Sequence, residues 1–523
     1  MRIFNSIKAR IDGMINTHKS RYWVYAKYYE DDILLDDTVF FQSFNGTNFQ
    51  GNPYYIYHHI FSDEKYKQYK LVIAHKVPFQ LKSYLNKQGL FDDRVKIVEI
   101  DSDEYIYFLC HSKYLLNNVT FNINFIKKSR QVYLNTWHGT PLKTLGRSVA
   151  GDPFALNNGQ RNFLMCDYLI APNELTKRVY EEEYIVHDIM KGELVLGGYP
   201  RNSVFFDQDS RGKIKEKYGL TQCKSILYMP TWRGTACGVD DVDQVTEIER
   251  LAKDLGSEYK VFVKFHPAMQ KANQEFKHCY NMPDDIEVYE FLNAIDILIT
   301  DYSSVFFDFA NAGSRIVLYQ YDKEEYFSSR GVYSEVEDNL PFDTAYNYDE
   351  LLEYIKNPKV TEYSDFIDKF CAYDSINASE QAVQLLFSDN KSKTTPPVDL
   401  YIIDFEVDDD YLNRIKEQLN GENYRFVFSP ERKSRKYKTV SCWNQLEYLT
   451  LYQTDKISFK EKFGIFWCRL MDSQRGLDKS IYYSRREQRR IWGDINIGLV
   501  YAKSKHLPLA VRYSAERWPE KLT

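Results

Sequence analysis

Two histidines in this chain stand beside turn-forming residues, His138 before Gly139 and Pro141, and His266 before Pro267. An imidazole fixed in such a turn takes a proton from an attacking hydroxyl near neutral pH. In Asn135-Thr136-Trp137-His138-Gly139-Thr140-Pro141-Leu142-Lys143 an apolar run ends at Asn135, where a parallel strand delivers side chains to a cleft. In Val263-Lys264-Phe265-His266-Pro267 the proline stops a strand and sets His266 at its tip, with Lys264 two residues earlier on the same face. Taken singly, a histidine in a turn is more often structural than catalytic.

Groups suited to phosphate accompany them. Thr231 and Arg233, in Tyr228-Met229-Pro230-Thr231-Trp232-Arg233-Gly234, supply a hydroxyl and a forked cation after another strand. The run Leu298-Ile299-Thr300-Asp301-Tyr302-Ser303-Ser304-Val305-Phe306-Phe307-Asp308 reads as a buried strand, a capping turn and an apolar helix that stops near Gly313. Helical N–H groups with the hydroxyls of Ser303 and Ser304 would make a phosphate cradle, and Asp308 would accept a hydrogen bond from a ribose or acceptor hydroxyl. Gly197-Gly198-Tyr199-Pro200-Arg201-Asn202 reads as a hinge, with Arg201 either catalytic or a hinge salt bridge. His58, His59, Asp241 and Asp243 lack the partners of a ligand set, so no metal and no cofactor is assigned.

These residues need strands to carry them. Leu71–Ala74, Val95–Ile100, Val132–Asn135, Tyr168–Ala171 and Leu194–Leu196 form one series of buried runs, and Ser225–Met229, Val261–Phe265, Ile295–Thr300 and Arg315–Tyr319 a second. Helical stretches lie between them. The fold class read from this is α/β, two Rossmann-like domains whose strand ends open onto a shared cleft. The expected boundaries are a basic amphipathic segment over 1–28, an N-terminal domain over 29–203 and a C-terminal, donor-binding domain over 204–387. A polar linker over 388–397 leads to an accessory α/β or α+β domain over 398–523.

Lys and Arg total 68 against 74 Asp and Glu among 523 residues, a net charge of −6 that argues against a general nucleic-acid binder. The charge is uneven. Residues 1–28 hold Arg2, Lys8, Arg10, Lys19, Arg21 and Lys27 against Asp12, with Ile3, Ile7, Ile11, Met14 and Ile15 at helical spacing. Such a helix lies on an anionic membrane surface or docks on its own protein. The accessory unit carries a second basic cluster, Arg485, Arg486, Arg489 and Arg490, suited to membrane docking, acceptor binding or assembly, or to a solvated charged face. The 8 cysteines form no CxxC pair and read as reduced thiols. Neither a signal peptide nor an apolar stretch of membrane-spanning length is evident.

The segments 44–57, 137–146, 198–203, 227–234, 263–267 and 298–310, taken in order, resemble the CDP-glycerol:poly(glycerophosphate) glycerophosphotransferases, the polymerases of bacterial teichoic acids. The resemblance covers about residues 38 to 385. It implies a glycosyltransferase-B-like fold that works without a bound metal, and a peripheral, monotopic place on the cytoplasmic membrane face. It implies His138 and His266 as catalytic residues and Ser304 and Asp308 as donor contacts, with Thr231, Arg233 and Ser303 as their neighbours; Lys264, by its place two residues before His266, would neutralise charge on a phosphate. The implied partners are a CDP-glycerol or CDP-ribitol donor, a polyprenyl-linked acceptor, an anionic membrane surface and other wall-polymer enzymes. Two other readings stay open: a nucleotide-sugar glycosyltransferase of the same fold, and a non-catalytic scaffold of a wall-polymer assembly.

Overall fold

Short apolar runs buried on both faces cannot sit at a surface, and here they assemble into three sheets in which every strand pair is parallel. The computed structural model describes residues 22–149, 151–231, 241–265, 276–359, 362–388, 393–429, 437, 439–451, 473–503, 515–519 and 522. His266, Arg233 and residues 1–21 of the basic segment lie outside them.

The first sheet holds β1 (Leu35–Gln42), β2 (Lys70–His75), β3 (Val95–Glu99), β4 (Ser112–Asn117), β5 (Val132–Asn135), β6 (Tyr168–Ala171) and β7 (Glu193–Leu196), in the order β3-β2-β1-β4-β5-β6-β7. The second holds β8 (Lys224–Met229), β9 (Tyr259–Val263), β10 (Tyr280–Asn281), β11 (Ile297–Thr300), β12 (Arg315–Tyr319) and β13 (Asp343–Ala345), ordered β10-β9-β8-β11-β12-β13. The third holds β14 (Val398–Ile403), β15 (Tyr424–Phe428), β16 (Tyr448–Thr450), β17 (Ile497–Ala502) and β18 (Ala515–Arg517), ordered β16-β15-β14-β17-β18. In all three the first strand lies inside and the chain reverses beside it, which opens a crevice at the strand C-termini.

Strands β5, β6 and β12 begin and end where their apolar runs do. The run Val261–Phe265 differs: its strand stops at Val263, so Lys264 and Phe265 already belong to the loop beyond β9. Two interior strands carry no plain signal. β1 opens with Leu35-Asp36-Asp37-Thr38, and β4 begins directly after the helix Asp103–His111 with no turn residues between.

The units are not sequential beads. The helix Ala378–Leu386, which follows the second sheet, crosses back onto the helix Asn52–Ser62 of the first unit. Phe387 then packs its ring 5.1, 4.5 and 4.6 Å from those of Tyr66, Tyr69 and Tyr114. The basic cluster of the third unit also departs from expectation. It lies on the helix Ser473–Trp492, where Arg486 and Arg490 are buried rather than facing a membrane or solvent. Arg490 pairs with Glu487 at 2.8 Å, and Arg486 pairs with Glu30 of the helix Tyr22–Glu30. Of the four arginines, Arg485 is the exposed one.

At the hinge, Gly198 packs against the segment that brings the crossing helix home. A Cβ there would lie 2.4 Å from Tyr373 O and 2.7 Å from Asp374 Cα, both backbone atoms. Gly198→Ala is therefore expected to cost about 1–3 kcal/mol, the usual range for overpacking, read as a lowered thermal midpoint. An unchanged midpoint would mean that the two segments part freely.

Candidate active site

A cleft of about 590 Å³ opens where the C-terminal ends of β5, β8, β9 and β11 meet. Its first-sheet wall is the Trp137–Leu145 loop. Its second-sheet wall carries Thr231, Lys264, Ser303 and Ser304. Five of the anticipated residues thus line one cleft: His138, Thr231, Lys264, Ser303 and Ser304.

His138 is fixed from below. Asn135 ends β5, and its Oδ1 accepts the Trp137 N–H at 2.8 Å, which turns the chain sharply. Trp137 then adopts φ 51°, an uncommon conformation for so bulky a residue. Its indole is held among Phe163, Tyr180 and Tyr184, with the Phe163 centroid 5.1 Å away. The His138 ring lies 4.3 Å from that indole, and its Nδ1 is 3.0 Å from Asn118 O. A carbonyl only accepts, so Nδ1 carries the proton and Nε2 keeps its lone pair for an incoming proton. Burial pushes the imidazole down to about 4; the Asn118 bond opposes this and the Arg201 charge adds to it. The ring is neutral at pH 7, the form a base requires.

The facing wall is tied to itself and to the first. The carboxylate of Asp301, just past β11, accepts the Thr231 N–H at 2.9 and 3.1 Å and so joins the loops after β8 and β11. Ser303 Oγ accepts the Val305 N–H at 3.4 Å. The helix that follows is only Val305–Phe309, shorter than the apolar run suggests, and a turn ends it at Gly313. Ser304 approaches the opposite wall so closely that a Cβ on Gly139 would lie 2.5 Å from its Oγ. A side chain at 139 would displace the Ser304 hydroxyl. Burial lowers the Lys264 ammonium below the usual lysine range, and Glu287 partly offsets it.

Arg201 and Asp308 lie behind the cleft, not in it. Arg201 Nη2 donates to Asp308 Oδ2 at 2.7 Å and Nη1 to His138 O at 2.9 Å, with exposures of 2% and 3% for the paired side chains. Tyr289 OH donates to the same Asp308 oxygen at 3.0 Å. Asp308, expected to meet a ribose or acceptor hydroxyl, here receives the guanidinium and the phenol at Oδ2, at the junction between the sheets. Of the two readings of Arg201, the salt bridge is the one found, and it reaches the backbone of His138 itself.

Further residues of the site carry weak sequence signals or none. Glu287 sits buried between the units, accepting the Tyr55 hydroxyl at 2.8 Å and the Gly51 N–H at 3.2 Å. Burial pushes its carboxyl up, opposed by these bonds. In Pro283-Asp284-Asp285-Ile286-Glu287 nothing distinguishes it from a surface acid. Asn118 acts through its carbonyl, which no side-chain motif announces. Tyr302, whose ring stacks on Tyr326 at 3.8 Å, lies between the more conspicuous Asp301 and Ser303. Among the described residues no cluster of three or more His, Cys, Asp or Glu side chains is placed to hold a metal ion.

Comparison with known proteins places this geometry. The chain matches the family CDP-Glycerol:Poly(glycerophosphate) glycerophosphotransferase over residues 25–388, which includes every cleft residue above and stops before β14. The teichoic acid poly(glycerol phosphate) polymerase of Bacillus subtilis is 30% identical over 381 residues, covering 67% of this chain and 48% of that protein. That of Bacillus spizizenii is 30% identical over 374 residues, covering 66% and 91%. The chain therefore spans about half the length of the first relative and most of the second. A solved structure of the wall teichoic acid polymerase TagF, in a histidine-to-alanine variant, superposes with a TM-score of 0.60 at 25% identity over 73% of this chain and 97% of that one. By the extent of the family match, this chain belongs to the CDP-glycerol:poly(glycerophosphate) glycerophosphotransferase family.

Proposed function

We propose that this chain transfers an alditol phosphate, most simply glycerol phosphate, from a CDP-activated donor to a hydroxyl of a lipid-linked acceptor, releasing CMP, in the synthesis of teichoic acid or a related wall or capsule polymer. The observation that carries the reading is the pairing across one cleft: a neutral His138 with Nδ1 directed to Asn118 O on one wall, and Thr231, Lys264, Ser303 and Ser304 on the other. In support, the histidine-to-asparagine variant of the TagF polymerase was soaked with CDPG.

The acceptor oxygen attacks the phosphorus that bears the alditol, and its proton passes to His138 Nε2. The bond from that phosphorus to the bridging oxygen breaks, and CMP leaves with the electron pair. Negative charge gathers on the leaving phosphate, where Lys264, Arg233 and His266 would neutralise it and the hydroxyls of Ser303, Ser304 and Thr231 would donate hydrogen bonds. A donor pyrophosphate also changes the base. Its negative charge beside the imidazole favours the imidazolium and lifts a proton affinity that burial holds low.

In this reading the first two sheets are a pair of Rossmann-like domains in the glycosyltransferase-B manner, the first for the acceptor and the second for the donor. The basic segment over 1–28 brings the enzyme to the cytoplasmic face of the membrane, where a polyprenyl-linked acceptor resides. The attachment in this reading is peripheral, and no described helix is long and apolar enough to cross a bilayer.

His138→Ala and His266→Ala are each expected to lower CMP release by about 100- to 1000-fold, the usual cost of losing one transition-state donor or base, with the circular dichroism spectrum unchanged. A wild-type rate in either variant removes that histidine from the mechanism. Deleting residues 1–20 is expected to reduce flotation with anionic liposomes while the thermal midpoint holds; undiminished flotation would count against the segment as the membrane contact.

A further inference from the structure

The helix Asn157–Met165 has a composition at odds with its burial. Its first six residues are Asn157-Asn158-Gly159-Gln160-Arg161-Asn162, yet Gln160 and Arg161 are each 2% exposed. Amide and guanidinium groups are buried only when paired. Arg161 also donates to Phe125 O and Asn158 Oδ1 within the first unit, but each of the two side chains has a partner in the third unit, far along the chain. Gln160 Nε2 donates to Tyr448 O at 3.0 Å, Arg161 Nε donates to Arg490 O, Asn157 Oδ1 accepts the Thr450 hydroxyl at 2.9 Å, and Leu164 O accepts the Asp494 N–H at 3.2 Å. Asn157, Gln160, Arg161 and Leu164 recur at i, i+3, i+4 and i+7, so they form one helical face. That polar stripe is written for the third unit.

The other face of the helix reaches the active site. Phe163 packs on Trp137, and Gly159 sits so close to Tyr184 that a Cβ would lie 2.5 Å from its ring. Tyr184 in turn packs on both Phe163 and Trp137. Trp137 keeps its left-handed conformation only while its surroundings over-determine it. Gln160 links the two faces directly, because Nε2 also donates to Tyr184 O at 3.0 Å. A second tie runs from the turn Gly146–Ser148 that directly follows the active-site loop: Arg147 Nη1 donates to Leu446 O at 2.8 Å.

We propose that the third unit, residues 398–523, is a brace for the active-site turn: through Gln160 and Arg147 it fixes the ring cage that holds Trp137 in its left-handed conformation and thereby sets His138. Gln160 and Arg147 are positioning residues, and the inference rests on the reading of His138 as the base. It also gives a function to a segment that the family match does not cover.

The full chain carrying Gln160→Met keeps the side-chain length and loses both donations. Loosening the cage would let water reach His138, whose imidazole burial holds near 4. Arg201 binds the His138 carbonyl and its charge adds to the downward push, and Lys143 and Lys264, which line the same cleft, are cations too, so the upward push comes from hydration. The acid limb of kcat/KM for CMP release from CDP-glycerol should then move up from near 4 by about one pH unit, so that kcat/KM at pH 4 relative to pH 8 falls roughly fivefold further than in the wild type. Glu30→Gln serves as control, since it touches the third unit through Arg486, away from the cage. It is expected to leave the limb in place. Arg147→Ala is a second variant should Gln160→Met not fold, and it is expected to move the limb the same way. A shift with Gln160→Met or Arg147→Ala but not with Glu30→Gln supports the brace; a shift in all, or in none, overturns it. Wild-type CMP release by His138→Ala would overturn the underlying reading instead.

Discussion

Arg201 carries its charge into the junction between two sheets, where an unpaired cation would cost several kcal/mol, and the surrounding groups are arranged to receive it. Its backbone N–H donates to Asn52 Oδ1, its guanidinium binds His138 O and Asp308, and the rings of Tyr199 and Tyr289 each lie 4.9 Å from it. Burial works against its charge, but Asp308 and the two phenols outweigh that and raise its proton affinity. A buried ion pair of this kind adds little net stability and much specificity, because few arrangements of the two sheets satisfy both charges. The register it selects puts Gly139 against Ser304 and so brings the base of one wall to the phosphate groups of the other.

Neighbouring groups repeat that logic with weaker bonds. Asp374 accepts the Tyr199 N–H at 2.9 Å, and its other oxygen accepts from Asn202 and Asn311, each at 2.8 Å. Burial raises its carboxyl to about 6. Glu287 fastens Gly51 and Tyr55 from the other side. Further out, the Tyr333 hydroxyl accepts the Leu145 N–H at 3.1 Å, while the Thr144 N–H donates to Gly331 O. The cleft is therefore bordered on several sides by bonds between the units.

Much of this was legible in the sequence where one residue does one local thing. The strand ends at Asn135, Met229 and Thr300 were marked by apolar runs meeting turn residues, and the loops after them hold His138, Thr231, Ser303 and Ser304 as their motifs suggest. What was not legible depends on distant partners. Asp308 sits in an apolar helix at a position that also suits a substrate contact, and only the approach of Arg201 from 107 residues away turns it inward. Arg486 and Arg490 look like a surface cluster until Glu30 and Glu487 bury them. The strand β1 hides its buried half behind two aspartates, and Asn118 contributes a carbonyl that every residue possesses.

The rate of CMP release by the Arg201→Lys chain, with CDP-glycerol and a lipid-linked acceptor, tests the account at its centre. Lysine keeps the charge but loses the fork that reaches His138 O and Asp308 together. If the latch aligns the base with the phosphate wall, kcat falls about 100-fold, as a misplacement of roughly 1 Å costs, while KM for the donor stays near that of the wild type. A kcat equal to that of the wild type in the folded variant would contradict it.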